Sequence, residues 1–98
     1  MSKTKFFNVP LPGGVVLSVP IGKIYRWRNV TLVIHHPVRN GEVLKKWWNV
    51  SEYSTGCTVV STFFDTIALA EHRIETAFPH LREGIFEQAL SEKPKINQ

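Results

Sequence analysis

The chain has 98 residues and a mass of 11.2 kDa, enough for one hydrophobic core and too few for two. Hydrophobic residues make up 43% and charged residues 20%, which excludes a disordered polyelectrolyte, and no apolar run approaches the ~20 residues that cross a bilayer. The net charge of +4 is unevenly placed: residues 1–60 hold eight Lys/Arg against Glu42 and Glu52, whereas residues 61–98 hold four basic groups against six acidic ones. A basic first half and a mildly acidic second half favour an anionic partner on the former.

In chain order, Phe6–Val9 and Val15–Val19 flank Pro10-Leu11-Pro12-Gly13-Gly14, a turn between β-prone runs, and predict an N-terminal hairpin. Pro10 and Pro20 cannot donate a ladder hydrogen bond, so this hairpin belongs at a sheet edge or ends at those residues. The run from Lys23 to His36 is strand-like. A single regular strand would put Arg26 and Arg28 on the face of Val30, Leu32 and Ile34, so a bulge or turn near Arg28-Asn29 is expected. Asn40-Gly41 suits a type I′ turn joining residues 30–36 to 43–50. Ser54-Thr55-Gly56 then returns the chain as Cys57–Val60, completing a three-stranded meander. Thr62 with Asp65 three residues later reads as a capping box opening a helix, whose stripe is Phe63, Ile67, Ala70, Ile74 and Phe78 and whose stop is Pro79. Residues 82–90 suggest a short second helix, and 93–98 a frayed tail beyond a single domain over 1–92. Strands followed by helices make this an α+β fold, with an antiparallel sheet of four to six strands and one main helix packed on one face.

The N-terminus, Met-Ser-Lys-Thr-Lys-Phe-Phe-Asn, lacks the apolar stretch of a secretion signal, and Cys57 is the single cysteine. A cytoplasmic protein away from membranes is expected, and the sequons at Asn29 and Asn49 then carry no weight. A thiol–imidazole pair between Cys57 and one of His35, His36, His72 or His80 has no nucleophile signature around it, and a small buried hydrophobe is the plainer reading of Cys57. His35 and His36 should point to opposite faces of a strand, and Pro79 separates His72 from His80, so no metal or cofactor is expected. The spacing of Glu71, Glu75, Glu83 and Glu87 is that of a solvated helical face, and Gly13-Gly14 lacks the lysine and helix of a phosphate loop.

Trp47-Trp48 beside Lys45-Lys46 is the most suggestive local feature. Alternation along a strand would send one indole to the helix and the other to the opposite face. There, with Arg26, Trp27, Arg28, Lys45 and Lys46, Trp47 would form a surface able to stack on bases and neutralise phosphates. Alternatively, the N-terminal hairpin or a second copy in a homodimer covers that face. Clustered Trp and Arg also serve protein contacts. The favoured expectation is a non-enzymatic protein-interaction or inhibitory module, of the compact accessory type carried by phages and mobile elements. Its macromolecular partner is expected to be a protein, contacted through Arg26, Trp27, Arg28, Lys45, Lys46 and Trp47. Binding of single-stranded DNA or RNA is the alternative, and a small cysteine-dependent enzyme the third.

Overall fold

The computed structural model describes residues 5–27, 30–78 and 96–97. The architecture is α+β. Strands β1 (Phe6–Pro10), β2 (Val16–Trp27), β3 (Val30–His35), β6 (Trp48–Glu52) and β7 (Thr58–Phe64) form one antiparallel sheet in the order β1-β2-β3-β6-β7. β4 (Val38–Arg39) and β5 (Glu42–Val43) form a separate two-stranded ribbon, and helix α1 (Ile67–Ala77) packs on one face of the sheet. The second helix expected over 82–90 lies outside the described residues.

The N-terminal hairpin forms as expected, with β1 at the sheet edge. Pro20, opposite Phe6, closes the β1 ladder without ending the strand: β2 continues and pairs with β3 from Ile21 to Trp27. A register shift between Ile21 and Lys23 leaves Gly22 as an extra residue, where a Cβ would strike the Trp48 ring, so glycine is what lets that indole lie against the strand. The expected break falls between Trp27 and Val30, which face each other across the β2–β3 ladder. Arg28 and Asn29 lie outside the described residues.

β3 is buried on both faces. Val30, Leu32 and Ile34 join Val50, Val60, Phe64, Ala70, Ile74 and Phe78 beneath α1. Val33 packs with Phe7 and Val19 on the other face, where Tyr53 and the ribbon residues Val38 and Val43 close over them. The ribbon turn has φ of 53° at Asn40 and 79° at Gly41, both positive as a type I′ turn demands.

The Ser54–Gly56 turn is held from inside. The Glu52 carboxylate, 5% exposed, accepts the Ser54 N–H at 2.8 Å, the Thr55 N–H at 2.9 Å and both hydroxyls, that of Thr55 at 2.7 Å. Burial alone would raise the carboxyl pKa, but these donors outweigh it and hold the group below its ordinary value of 4.5. Of the expected tail, Ile96 and Asn97 are docked. Both donate their N–H to the Ser54 carbonyl, and the Asn97 carboxamide accepts from Asn8 N–H at 3.0 Å and donates to Asn8 O at 2.9 Å.

The helix start differs from the expected one. Thr62 and Phe63 belong to β7, and Thr66 is the N-cap, its Oγ accepting the Leu69 N–H at 3.1 Å. The β-branched and aromatic run Thr58–Phe64 extends the strand because Val60 and Phe64 bury apolar surface there, and Asp65 is left before the cap rather than in the first turn. The stripe shortens to Ala70, Ile74 and Phe78, with Ile67 half-buried. α1 ends at Ala77 with Phe78 as its C-cap, one residue before Pro79.

Two stability changes follow. Ile74→Ala, which empties a fully buried site, should lose about 2–5 kcal/mol in urea unfolding, whereas exposed Leu69→Ala should change stability by no more than about 0.5 kcal/mol. Equal losses would contradict the helix orientation. Glu52→Gln presents an NH2 to donors that need an acceptor and should cost about 1–3 kcal/mol; an unchanged unfolding midpoint would mean the carboxylate does not hold the turn.

Candidate functional site

The residues expected to form one surface fall in separate places. Lys45 and Lys46 are exposed in a turn closed by the Trp47 N–H on the Leu44 carbonyl at 3.2 Å, and β6 begins only at Trp48. Strand alternation therefore does not separate the two indoles. Trp48 packs into the core beneath α1, while Trp47, 41% exposed, lines a groove beside α1. Trp27 sets its ring edge-on to Phe78 at 5.3 Å. Arg26 is exposed on the β2 face opposite Lys23 and Tyr25, which reach Glu71 and Glu75 of α1. Arg26 pairs with Thr31, whereas His35 pairs with Asn49 beside Trp48; four residues of β3 put roughly 13 Å between those levels. Arg26 and Lys45–Trp47 thus lie toward opposite ends of the sheet.

The groove beside Trp47 has a volume of about 420 Å3 and runs between β7 and α1, lined by Trp47, Thr62, Phe63, Phe64, Leu69 and Arg73 together with Asp65 and His72. Its walls are aromatic and aliphatic, and Leu69 is 49% exposed. Its rim is cationic. The Arg39 guanidinium stands 5.8 Å from the Phe63 ring centre and that of Arg73 5.8 Å from Phe64, both within cation–π range. Among the described residues no carboxylate forms an ion pair with Arg39, Lys45, Lys46 or Arg73. Reading the helix from Thr62 hid this site, because it placed Phe63 in a buried stripe. The signal was present in the uninterrupted β-prone run Thr58–Phe64, which makes Thr66 the cap and turns Leu69 and Arg73 away from Ala70 and Ile74.

Two histidines support the Trp47 turn. His36 stacks on Trp48 with ring centres 4.1 Å apart, and its Nδ1 lies 2.9 Å from the Trp47 carbonyl, which can only accept, so that nitrogen carries the proton. His35 is buried against Phe7. By the same reasoning its Nδ1–H donates to the His36 carbonyl at 2.8 Å, and its Nε2 accepts from the Ser51 hydroxyl at 2.7 Å. His36 is half-buried, whereas His35 is buried.

The face of the sheet away from α1 is covered in part by the N-terminal hairpin and the ribbon. Beside them lies a second recess of roughly 470 Å3 lined by Lys5, Phe6, Ile21, Ile24, Thr31 and Tyr53, with no tryptophan in it. Cys57 follows the turn after Glu52, whereas His35 lies three residues further along β3, about 10 Å away by strand rise, so neither His35 nor His36 pairs with the thiol. Among the described residues no cluster of His, Cys, Asp and Glu is arranged to hold a metal, and no helix is long and apolar enough to cross a membrane. Glu71 and Glu75 engage Lys23 and Tyr25 separately, Lys23–Glu71 at 2.6 Å.

No protein family, curated protein or solved structure matches the chain. The site therefore stands on its own chemistry.

His35 also sets a pH dependence. Desolvation lowers its folded pKa below the ordinary 6.5, outweighing the bond to the His36 carbonyl. The unfolded chain then takes up a proton that the folded one refuses, so this contribution is complete above about pH 6.5 and is lost progressively as pH falls from there toward the lower folded pKa. Denaturant unfolding should show lower stability at pH 5.5 than at pH 7.5, with a smaller difference in His35→Asn, which keeps a donor for the His36 carbonyl but does not titrate. An equal pH slope in wild type and variant would remove His35 as the cause.

Proposed function

We propose that this chain is a small non-enzymatic binding protein that takes a segment of a protein partner into the groove between β7 and α1. The observation that carries this reading is the exposed Trp47 in a largely apolar groove where the Arg39 and Arg73 guanidinium groups stand over Phe63 and Phe64. Exposed tryptophan and arginine around an apolar recess are the residues from which protein hot spots are built. The groove supplies an anchoring site, and the surrounding charge favours an acidic ligand and speeds its encounter. The size and single sheet-and-helix layer suit a compact accessory or inhibitory module, of the type that phages and mobile elements carry.

Binding of single-stranded nucleic acid is the second reading, because Trp47 and the same cations can stack on bases and contact phosphates. The separation of Arg26 and Trp27 from Lys45–Trp47 counts against it, since a strand would have to wrap the sheet to touch both sets.

Trp47 is the most exposed of the indoles and serves as the reporter. An acidic peptide pool should shift the tryptophan emission in wild type and not in Trp47→Phe, while mixed single-stranded and duplex oligonucleotides leave it unchanged at physiological salt. Quenching by oligonucleotides that weakens steeply with salt, and is lost when Lys45 and Lys46 are both changed to Glu, would instead establish nucleic acid as the ligand.

A further inference from the structure

Between the paired positions His35 and Asn49 the chain leaves the five-stranded sheet, forms the β4–β5 ribbon and the Trp47 turn, and returns. The ribbon tip from Arg39 to Glu42 is exposed, Pro37 is buried, and Val38 and Val43 fold back over Phe7, Val19 and Val33. His35 sits beside the covered residues: strand alternation puts it on the face of Val33, and its ring centre is 5.0 Å from that of Phe7. The neutral ring suits its neighbours, with Nδ1–H donating to the His36 carbonyl and Nε2 accepting from the Ser51 hydroxyl. A charged ring does not. Nε2 would carry a proton as well, and the hydroxyl of Ser51, fully buried and bonded to no other group among the described residues, would be turned away from its acceptor. The titratable neighbours are His36, whose charge opposes a second one, and Tyr53, whose ring meets Phe7 at 6.1 Å; Arg39, Glu42, Lys45 and Lys46 stand exposed on the ribbon and turn. Among the described residues no carboxylate bonds the His35 ring.

We propose that residues 36–47 form an acid-released flap: protonation of His35 favours a state in which they leave the sheet together, taking Trp47 and Arg39 out of the groove while the sheet and α1 stay folded. Its consequence for binding rests on the groove being the binding site. A charged ring needs water, and the flap is the smallest part whose removal admits it. Phe7 and Ser51, the other walls, belong to β1 and β6 and move only with the sheet. The flap is held by the two half-buried valines, by Pro37 and by the His35 bond to the His36 carbonyl, and lightly covered segments of this kind are where native proteins open locally. His36 makes the motion concerted. Its Nδ1 bonds the Trp47 carbonyl and its ring lies on Trp48, and the Leu44 N–H on the Pro37 carbonyl at 2.8 Å joins the two legs again. A two-stranded ribbon is not stable by itself, so its bonds fray once it leaves the sheet. The open state lacks the tryptophan and one of the two guanidinium groups of the groove, and acid shifts the population toward it.

The test is amide hydrogen exchange of the whole protein in low urea at pH 7.5 and 5.5, corrected for the intrinsic rate at each pH. It needs no ligand, so the flap can fail while groove binding stands, and a groove that takes no peptide leaves the flap result intact. The Leu44 and Trp47 amides, bonded within the flap, should lose protection together and severalfold at pH 5.5, toward the roughly tenfold limit for one proton taken up at an ordinary histidine pKa. Their exchange should be independent of urea, whereas the β3 and β6 amides should exchange more slowly and depend on it. The pH response should vanish in His35→Asn and persist in His36→Gln. Leu44 and Trp47 exchanging with the rate and urea dependence of β3 and β6 would show global unfolding alone and overturn the flap. So would protection that does not change with pH, a response of Leu44 without Trp47, or one that follows His36 instead of His35. In wild type the His35 ring resonances should titrate below pH 6.5; an ordinary midpoint would overturn the proposal without recourse to any variant.

Discussion

The requirement that β3 be dry on both faces organises the molecule. Leu32, Val33 and Ile34 are consecutive and fully buried, so one layer cannot cover them and both sides of the sheet must be closed. α1 closes one side through Ala70, Ile74 and Phe78. The N-terminal hairpin and the ribbon close the other through Phe7, Val19, Val38 and Val43. A chain of this length has little apolar surface to spare, so covering the centre leaves the periphery less protected. Both recesses lie in that periphery.

Much of this layout was legible because local chemistry and tertiary packing agree. Asn40-Gly41 has few alternatives to its turn, α1 ends at Ala77 close to the stop expected at Pro79, and the break expected from the conflict of arginine charge with the apolar face of β3 falls between Trp27 and Val30. The errors have physical origins too. Thr62 and Thr66 are both competent caps, and the choice between them is made by Val60 and Phe64, whose burial depends on residues far away in sequence. Trp47 was assigned to a strand because turn residues such as Lys45 and Lys46 carry no turn signature. Its carbonyl is held by His36, eleven positions earlier, a contact that no local pattern announces.

The groove shows the same limit more sharply. Its cations come from the ribbon and from α1, and Arg73 belongs to the half of the chain whose net charge is negative. A sum of charge along sequence did not single out Arg73, and it enrolled Arg26, which the β2–β3 register carries to another part of the molecule. Residues with the right chemistry become a site only when the register brings them together, and here a two-residue extension of β7 past Thr62 decides which ones meet.

The clasp between Asn97 and Asn8 joins positions 89 apart, the longest reach among the side-chain bonds of the described residues. Closing so large a loop costs chain entropy that grows only slowly with length but is not recovered until both ends are in place. During synthesis, β1 is made early and must wait with its outer amides unclasped while almost all of the domain follows. Completion of that edge is thus a late event in the birth of the protein, and the interval before it, rather than the finished fold, is when the first strand is open to wrong neighbours.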